Sequence, residues 1–192
     1  MKKIKEIFEK LNLKRTLLDL LSIAVVLGIL FALIGLQKWA QGVDNNEIDF
    51  GKMGPVRIIN MGSGKYLSAN QSITSGTPTS QFSMDEIHNQ VWQIEQQGEG
   101  WEIKIVNTNY CLEIDEASRS DGAIAQLWDC VGAPQQLWNI EKLDKGVYEL
   151  HPSYNNKCLE IGDSSPDEGA AAQQWSCAEV MGQRWEIFSA LY

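Results

Sequence analysis

The sequence predicts an all-β domain built from three similar units, preceded by one transmembrane α-helix. A Gln-x-Trp tripeptide occurs three times, its tryptophans 46 and 47 residues apart, as Gln90-Val91-Trp92, Gln136-Leu137-Trp138 and Gln183-Arg184-Trp185. Two cysteine pairs recur with the same separation, and residues 17–36 are almost wholly apolar. A fixed period of this length indicates one supersecondary unit used three times, each unable to bury its apolar side alone.

Each repeat contains short alternating stretches separated by turn residues. The first opens with residues 56–60 and a glycine-containing turn, and the others open at 101–106 and 147–150. About four strands in each of three repeats favour a closed or capped body without exposed edges. A tryptophan at the same place in every unit is what a shared core requires. We therefore expect Trp92, Trp138 and Trp185 to be buried.

The apolar stretch at residues 17–36 is long enough to cross a membrane. Its 20 residues contain one charge, Asp19, and a helix of that length spans about 30 Å, the thickness of the hydrocarbon layer. Asp19 follows Arg15 by four residues and can pair with it at the headgroup boundary. Basic residues before the span predict a cytoplasmic N-terminus and a single-pass cell-membrane protein with an extracytoplasmic C-terminal domain. The expected organisation is a cytoplasmic basic segment (1–15), a transmembrane helix (16–39), a linker (40–53) and the repeat domain (54–192).

A cleaved signal peptide is the alternative for this segment, because both begin with a basic region before an apolar stretch. The apolar stretch is longer than a signal peptide needs, and Lys38 makes cleavage after Ala40 unfavourable. An uncleaved signal anchor is the better interpretation, and both place the repeat domain outside the cytoplasm.

Small residues recur along the predicted helix at intervals of four, as Ala24, Gly28 and Ala32. Such a stripe permits close approach of another helix. Besides the lipid bilayer, the partners expected of this segment are therefore a membrane protein or a second copy of the chain.

Charge and motif content exclude several functions for the repeat domain. Residues 1–40 carry seven Lys and Arg against three acids, whereas the remainder carries nine against twenty-two, a net charge of −13. An acidic domain lacks the basic face that nucleic-acid binding requires. The sequence shows no phosphate-binding glycine loop and no nucleophile with a plausible histidine partner. We expect a protein that is not an enzyme.

The four cysteines form two equal pairs, Cys111 with Cys130 and Cys158 with Cys177, each 19 residues apart. Metal binding would need closely spaced Cys or His pairs. The two histidines lie in unrelated contexts, so no metal or other cofactor is expected. Two disulfides within repeats are the simpler account and agree with export. A calcium site at Asp115, Glu116 and Asp121 is a weaker alternative, since the acids lack the ordered alternation of a calcium loop.

These residues resemble the ricin B-type lectin family, whose signature is a thrice-repeated Gln-x-Trp together with Cys-Leu-Asp/Glu and Trp-x-Cys. The second and third repeats carry Cys111-Leu112-Glu113 and Cys158-Leu159-Glu160, followed by Trp128 and Trp175 two residues before the second cysteine. The resemblance covers about residues 54–190. It implies a β-trefoil that binds glycans or polysaccharides in shallow pockets, up to one per repeat.

The resemblance also implies the residues of each pocket. An acid, an amide, an aromatic platform and polar residues at the tripeptide are supplied in the second repeat by Glu113, Gln126, Trp128, Gln135 and Gln136. The third repeat supplies Glu160, Gln173, Trp175 and Gln183, with Gly182 where an amide is usual. The first repeat has Ser68, Ser80 and Phe82 at the corresponding positions and is expected to be silent.

Glutamate stands where the family most often has aspartate, so each carboxylate is one methylene longer. This change leaves alternatives open. Glu113 and Glu160 can instead face solvent with the tryptophans packed beside the disulfides. The domain can also be a non-catalytic interaction subunit of a membrane complex with a degenerate sugar site. An accessory enzyme is the least favoured interpretation, because paired carboxylates arise by chance on so acidic a surface.

Overall fold

A computed structural model describes residues 3, 6, 49–69, 73–87 and 89–191. Its C-terminal unit begins at Asp49 with one helical turn, α1 (Phe50–Met53). Twelve strands follow in the described residues: β1 Val56–Asn60, β2 Tyr66–Ala69, β3 Thr77–Phe82, β4 Trp92–Gln97, β5 Gly100–Ile105, β6 Tyr110–Ile114, β7 Ala125–Asp129, β8 Leu137–Asp144, β9 Val147–Pro152, β10 Lys157–Ile161, β11 Ala172–Ser176 and β12 Trp185–Ser189.

Six of the strands form a closed antiparallel barrel. The order β1, β4, β5, β8, β9, β12 returns to β1, because β12 pairs with both β9 and β1. The register of the closing pair places Ile58 opposite Ile187, and both side chains are buried. Closure leaves the barrel without an unpaired edge strand, as the sequence analysis expected.

The other six strands form three hairpins, β2–β3, β6–β7 and β10–β11, that cap one end of the barrel. Equivalent backbone pairs join each hairpin to the next: Pro78 with Gln126, Ile124 with Gln173, and Ala171 with Ser80. A six-stranded barrel capped by three hairpins is a β-trefoil. The fold implied by the resemblance is therefore confirmed.

The tripeptide tryptophans occupy the shared core. Trp92, Trp138 and Trp185 have no exposed surface, and each indole N–H donates to the carbonyl of the leucine on the preceding hairpin at 2.9 Å. Burial of a large ring with its single donor satisfied is favourable, since an unpaired N–H would be costly there. Their predicted role as core residues is confirmed.

The helical turn α1 packs against the barrel through Phe50. Phe50, which was assigned to the linker 40–53, is 3% exposed, and its ring contacts those of Trp101 and Tyr148 at centroid distances of 5.1 and 5.7 Å. These aromatic contacts fix α1 to the barrel. The compact C-terminal unit therefore includes residues 49–53 of the segment predicted as linker.

The predicted transmembrane helix, with Ala24, Gly28 and Ala32, lies outside the described residues. Among the residues that are described, no helix combines the length and apolar character that a membrane crossing requires.

Both predicted disulfides are present. Cys111 is bonded to Cys130 and Cys158 to Cys177, and each bond joins the first strand of a cap hairpin to the residue just after the second. In the first repeat, Tyr66 occupies the place of Cys111, as its pairing with Phe82 on β3 shows.

Candidate functional site

The hairpin β6–β7 brings the predicted residues of the second repeat to one face. Glu113 pairs with Gln126 and Cys111 pairs with Trp128. Side chains two residues apart on a strand share a face, and paired residues on neighbouring strands do too. Glu113, Gln126 and Trp128 therefore lie on one side of the hairpin, whereas Leu112 and Leu127 face the core and are buried.

The carboxylate of Glu113 is buried and held by two amides. Gln126 Nε2 donates to Oε1 at 3.1 Å and Gln136 Nε2 donates to Oε2 at 3.0 Å. Only 4% of Glu113 is exposed, so these bonds fix its orientation. The glutamate therefore does not simply face solvent, which was one of the open alternatives.

Gln136 takes a different position from the one implied by the resemblance. It has no exposed surface, and its second amide hydrogen goes to the carbonyl of Asp129 at 2.8 Å while its oxygen accepts the N–H of Val131 at 2.8 Å. Every polar group of the side chain is thus occupied inside the protein. Inside the protein Gln136 therefore orients the carboxylate of Glu113, and its contact with a ligand stays a prediction. Gln135, next to it, is only partly buried.

Trp128 is 42% exposed and lies at the surface end of the same face. Its ring edge passes close to Gly76, where an added Cβ would be 3.7 Å from Cζ3. Gly76 also has a φ of +84°, a conformation that favours glycine. The indole therefore contacts the loop of the first repeat along one edge and keeps much of its surface open to solvent.

The third repeat has nearly the same arrangement. Gln173 Nε2 and Gln183 Nε2 donate to the carboxylate of Glu160 at 3.0 and 2.9 Å, and Trp175 is 44% exposed. Gln183 is buried and also bonds the carbonyl of Ser176 and the N–H of Ala178. Gln183 therefore orients the carboxylate of Glu160 as Gln136 orients that of Glu113, and its contact with a ligand stays a prediction.

Gly182 is explained by close packing. A Cβ at this position would lie 2.4 Å from the hydroxyl of Ser164, and the Gly182 carbonyl accepts a hydrogen bond from Asn60 at 2.8 Å. No side chain fits there without moving a neighbour. The third repeat consequently has no side-chain amide at the position of Gln135.

The first repeat keeps the frame without the acid. Ser68 stands at the position of Glu113 and pairs with Ser80, and Gln90 Nε2 donates to the Ser68 hydroxyl at 3.1 Å. Ser68 is fully buried. This repeat therefore has no carboxylate on that face of its hairpin.

A family model described as "Ricin-type beta-trefoil lectin domain-like" matches residues 37–128, 88–175 and 134–191. The chain belongs to this lectin-like family.

Solved structures agree with this membership. The designed threefold symmetric protein ThreeFoil is 28% identical, with a TM-score of 0.67 over 70% of this chain and 98% of that chain. The exo-β-1,3-galactanase 1,3Gal43A from Clostridium thermocellum is 23% identical, with a TM-score of 0.68 over 71% of this chain and 30% of that one. The ricin B-like lectin of Macrolepiota procera, solved with lactose, is 19% identical, with a TM-score of 0.55 over 70% of this chain and 94% of that chain. Similarities at this level establish the fold.

The sequence analysis did not assign Asp115 or Tyr154 to the site around Glu113. Asp115 accepts a second bond from Gln126 Nε2 at 2.9 Å, so Gln126 bridges two carboxylates. It lies two residues after Glu113, and the alternation of a strand could have found it. Its counterpart in the third repeat is Gly162.

Tyr154 reaches the same region from the third repeat. Its hydroxyl donates to the carbonyl of Ser118 at 2.6 Å, and the guanidinium of Arg119 lies 5.5 Å from its ring centre. Burial raises the pKa of Tyr154 to about 12, with Arg119 opposing the shift and the charge of Glu113 adding to it. The phenol therefore stays protonated and anchors the loop that follows Glu113. No local sequence signal links it to that loop.

Proposed function

We propose that this protein is a glycan-binding lectin whose principal pocket is formed by Glu113, Gln126 and Trp128, with Gln135 at its rim. One observation carries the proposal: a half-exposed indole shares a face with a buried carboxylate already oriented by two amides. A sugar offers adjacent hydroxyls to the acid and an apolar C–H face to the ring. The proposal includes no reaction, because binding accounts for all the groups in the pocket.

The hydrogen-bonding capacity of Glu113 supports this assignment. A carboxylate has about four acceptor positions, and Gln126 and Gln136 occupy one on each oxygen. The remaining positions are available to hydroxyl donors, and hydrogen bonds to a charged acceptor are stronger than neutral ones. The longer glutamate side chain retains both amide contacts, so the replacement of aspartate does not dismantle the site.

The third repeat supplies a second, weaker pocket around Glu160, Gln173 and Trp175. It has the same acid, amide and exposed ring, but it has Gly182 in place of Gln135 and Gly162 in place of Asp115. Loss of two polar groups removes two hydrogen bonds from the ligand or its supports, each contributing about 0.5–1.5 kcal/mol.

The proposed location is the outer face of the cell membrane, with residues 17–36 as an uncleaved anchor. The two disulfides support an oxidising compartment. Alkaline carbonate extraction of membranes tests the anchor, and added protease tests the side on which the domain lies. Release of the protein by carbonate, or protection of the domain in intact cells, would contradict this placement.

A glycan array probed with the full chain in mild detergent tests the lectin activity, with lactose included because the Macrolepiota procera lectin was solved with it. Trp128→Ala should reduce binding by about 5- to 150-fold, since stacking on an aromatic side chain contributes about 1–3 kcal/mol in comparable contacts. Its exposed position predicts a small effect on folding. Phe82→Ala, at the equivalent place in the first repeat, is the matched control and should leave binding unchanged. A folded protein that binds no glycan would remove the proposal.

A further inference from the structure

A second cluster of polar side chains lies on the barrel hairpin β8–β9, away from the caps that carry the lectin pockets. Glu141 pairs with Glu149, and Asn139 pairs with His151. By the alternation of paired strands, the four side chains share one face. Like charges directly opposite each other on neighbouring strands are destabilising. A cation bound between the two glutamates would remove this repulsion.

The hydrogen bonding of His151 directs one ring nitrogen towards these acids. Nδ1 lies 3.1 Å from the carbonyl of Lys157, which can only accept, so Nδ1 carries a hydrogen. Nε2 lies 3.6 Å from Glu141 Oε2 and 3.7 Å from Glu149 Oε2. It is buried and has no hydrogen-bond partner among the described residues. A donated N–H to a backbone carbonyl on one side and a free nitrogen on the other is the usual arrangement of a metal-binding histidine.

The equivalent hairpin of the preceding repeat has a lysine beside its pair of glutamates. On β4–β5, Glu95 pairs with Glu102, and Gln93 pairs with Lys104. The ammonium of Lys104 forms a salt bridge with Glu95 and supplies the positive charge from within the protein. His151 replaces that lysine on β8–β9. An imidazole supplies a positive charge only when it is protonated, so the second hairpin is left with two acids and a nitrogen ligand.

We propose that Glu141, Glu149 and His151 bind a divalent transition-metal ion, with zinc as the representative. Zinc bonds to nitrogen and oxygen ligands of about 2.0–2.2 Å place neighbouring ligand atoms of a tetrahedral site about 3.3–3.5 Å apart. The observed 3.6 and 3.7 Å between Nε2 and the two carboxylates are close to this spacing. They are too long for hydrogen bonds. The three ligand atoms lie within 4.8 Å of one another.

The surroundings leave room for a fourth ligand. A surface cavity of about 360 Å³ adjoins the cluster, lined by Asn139, Ile140, Glu141, His151, Asn155, Asn156 and Cys177. The amide side chains of Asn139 and Asn156 can hydrogen-bond a water or an anionic group on the metal. Cys177 is committed to its disulfide and does not act as a thiolate. The site is independent of the proposed lectin activity, because none of its ligands belongs to either pocket.

Titration calorimetry with zinc chloride on the chelator-treated full chain tests the proposal. One zinc ion should bind per chain with a micromolar or lower Kd, and His151→Gln and Glu149→Gln should each weaken binding at least about tenfold. A large excess of Ca²⁺ or Mg²⁺ should not displace zinc, because hard cations prefer oxygen ligands to imidazole. Bound zinc should also raise the midpoint of thermal unfolding.

Three variants make the test decisive. His151→Lys recreates the charge arrangement of β4–β5, so it should abolish zinc binding while the protein stays folded. Glu102→Gln, in the matched acid pair, and His88→Gln should bind zinc as the natural chain does. The proposal is overturned by the lack of saturable binding at about 100 μM zinc, by binding that survives His151→Lys, or by equal displacement with Ca²⁺.

Discussion

Neighbouring glutamines in the second tripeptide region have different environments. Gln136 is fully buried, and its side chain makes three hydrogen bonds, to Glu113, Asp129 and Val131, at 2.8–3.0 Å. Gln135 lies one residue earlier and is only partly buried. Gln136 therefore supports the carboxylate of Glu113, whereas the contact of Gln135 with a ligand belongs to the proposed function.

Gln136→Ala should lower the free energy of unfolding by about 2–4 kcal/mol, because a buried carboxylate oxygen, a carbonyl and an N–H lose their partner together. Gln135→Ala should change it by less than about 0.5 kcal/mol. Urea denaturation of both variants provides the measurement. Equal effects on stability would show that Gln136 has no special supporting role.

The residues of the candidate site could be predicted from sequence only in part. Glu113, Gln126 and Trp128 follow from the resemblance to the lectin family, and the structure does bring them to one face. Gln136 could not be separated from Gln135 by residue type, because an amide suits a buried network as well as a sugar. Tyr154 was missed because it is 41 residues from Glu113 and meets that region only through the threefold fold.

At the scale of elements, serine–carboxylate hydrogen bonds join each cap hairpin to the next. The pairs are Ser75 with Asp129, Ser176 with Asp121, and Ser83 with Glu168, at 2.9, 3.0 and 2.6 Å. Because the third pair returns to the first hairpin, the contacts close a ring. In the first pair the serine lies in the loop of one hairpin and the acid lies at the end of the second strand of the other hairpin. In the other two pairs the acid lies in the loop and the serine at the strand end. The contact is therefore retained although the residues are exchanged.

Lys157 reinforces one of these contacts and makes it sensitive to pH. Its ammonium bonds Asp121 and, with Ser176, lowers the pKa of that carboxyl. A lowered pKa in the folded state stabilises the fold above the ordinary aspartate pKa, and this contribution is lost as the pH falls through the folded-state value. The pKa of Glu168 is lowered chiefly by Ser83, so its contribution to stability is also lost as the pH falls.

Lys157→Met should therefore raise the pKa of Asp121. The free energy of unfolding of this variant should then decrease less steeply as the pH falls below about 4. NMR titration of the Asp121 carboxyl carbon measures the first effect, and urea denaturation across that pH range measures the second. Lys145→Met removes the same charge from the β8–β9 turn and should leave the pKa of Asp121 unchanged. An unaltered Asp121 titration in Lys157→Met would contradict the assignment.

At the scale of the whole molecule, the repeat period contains most of the information about the fold. Twelve strands and a buried tryptophan in every unit were predicted, and the described residues contain both. The packing of α1 on the barrel could not be predicted, because one aromatic side chain, Phe50, provides the attachment, and a single side chain has no periodicity to detect. Barrel closure by β1 and β12 likewise depends on segments about 130 residues apart.

Because β12 closes the barrel, a destabilising substitution in this strand should affect the entire domain. Ile187 is 3% exposed and faces Ile58 across the closing pair, so Ile187→Ala should cost about 2–5 kcal/mol, the usual range for emptying a core position. Because every barrel strand has two neighbours, unfolding should remain a single transition, with circular dichroism and tryptophan fluorescence giving coincident curves in urea. Glu186→Ala, one residue earlier and exposed, should be nearly neutral. Separate transitions for the caps and the barrel in Ile187→Ala would mean that closure does not couple the three repeats.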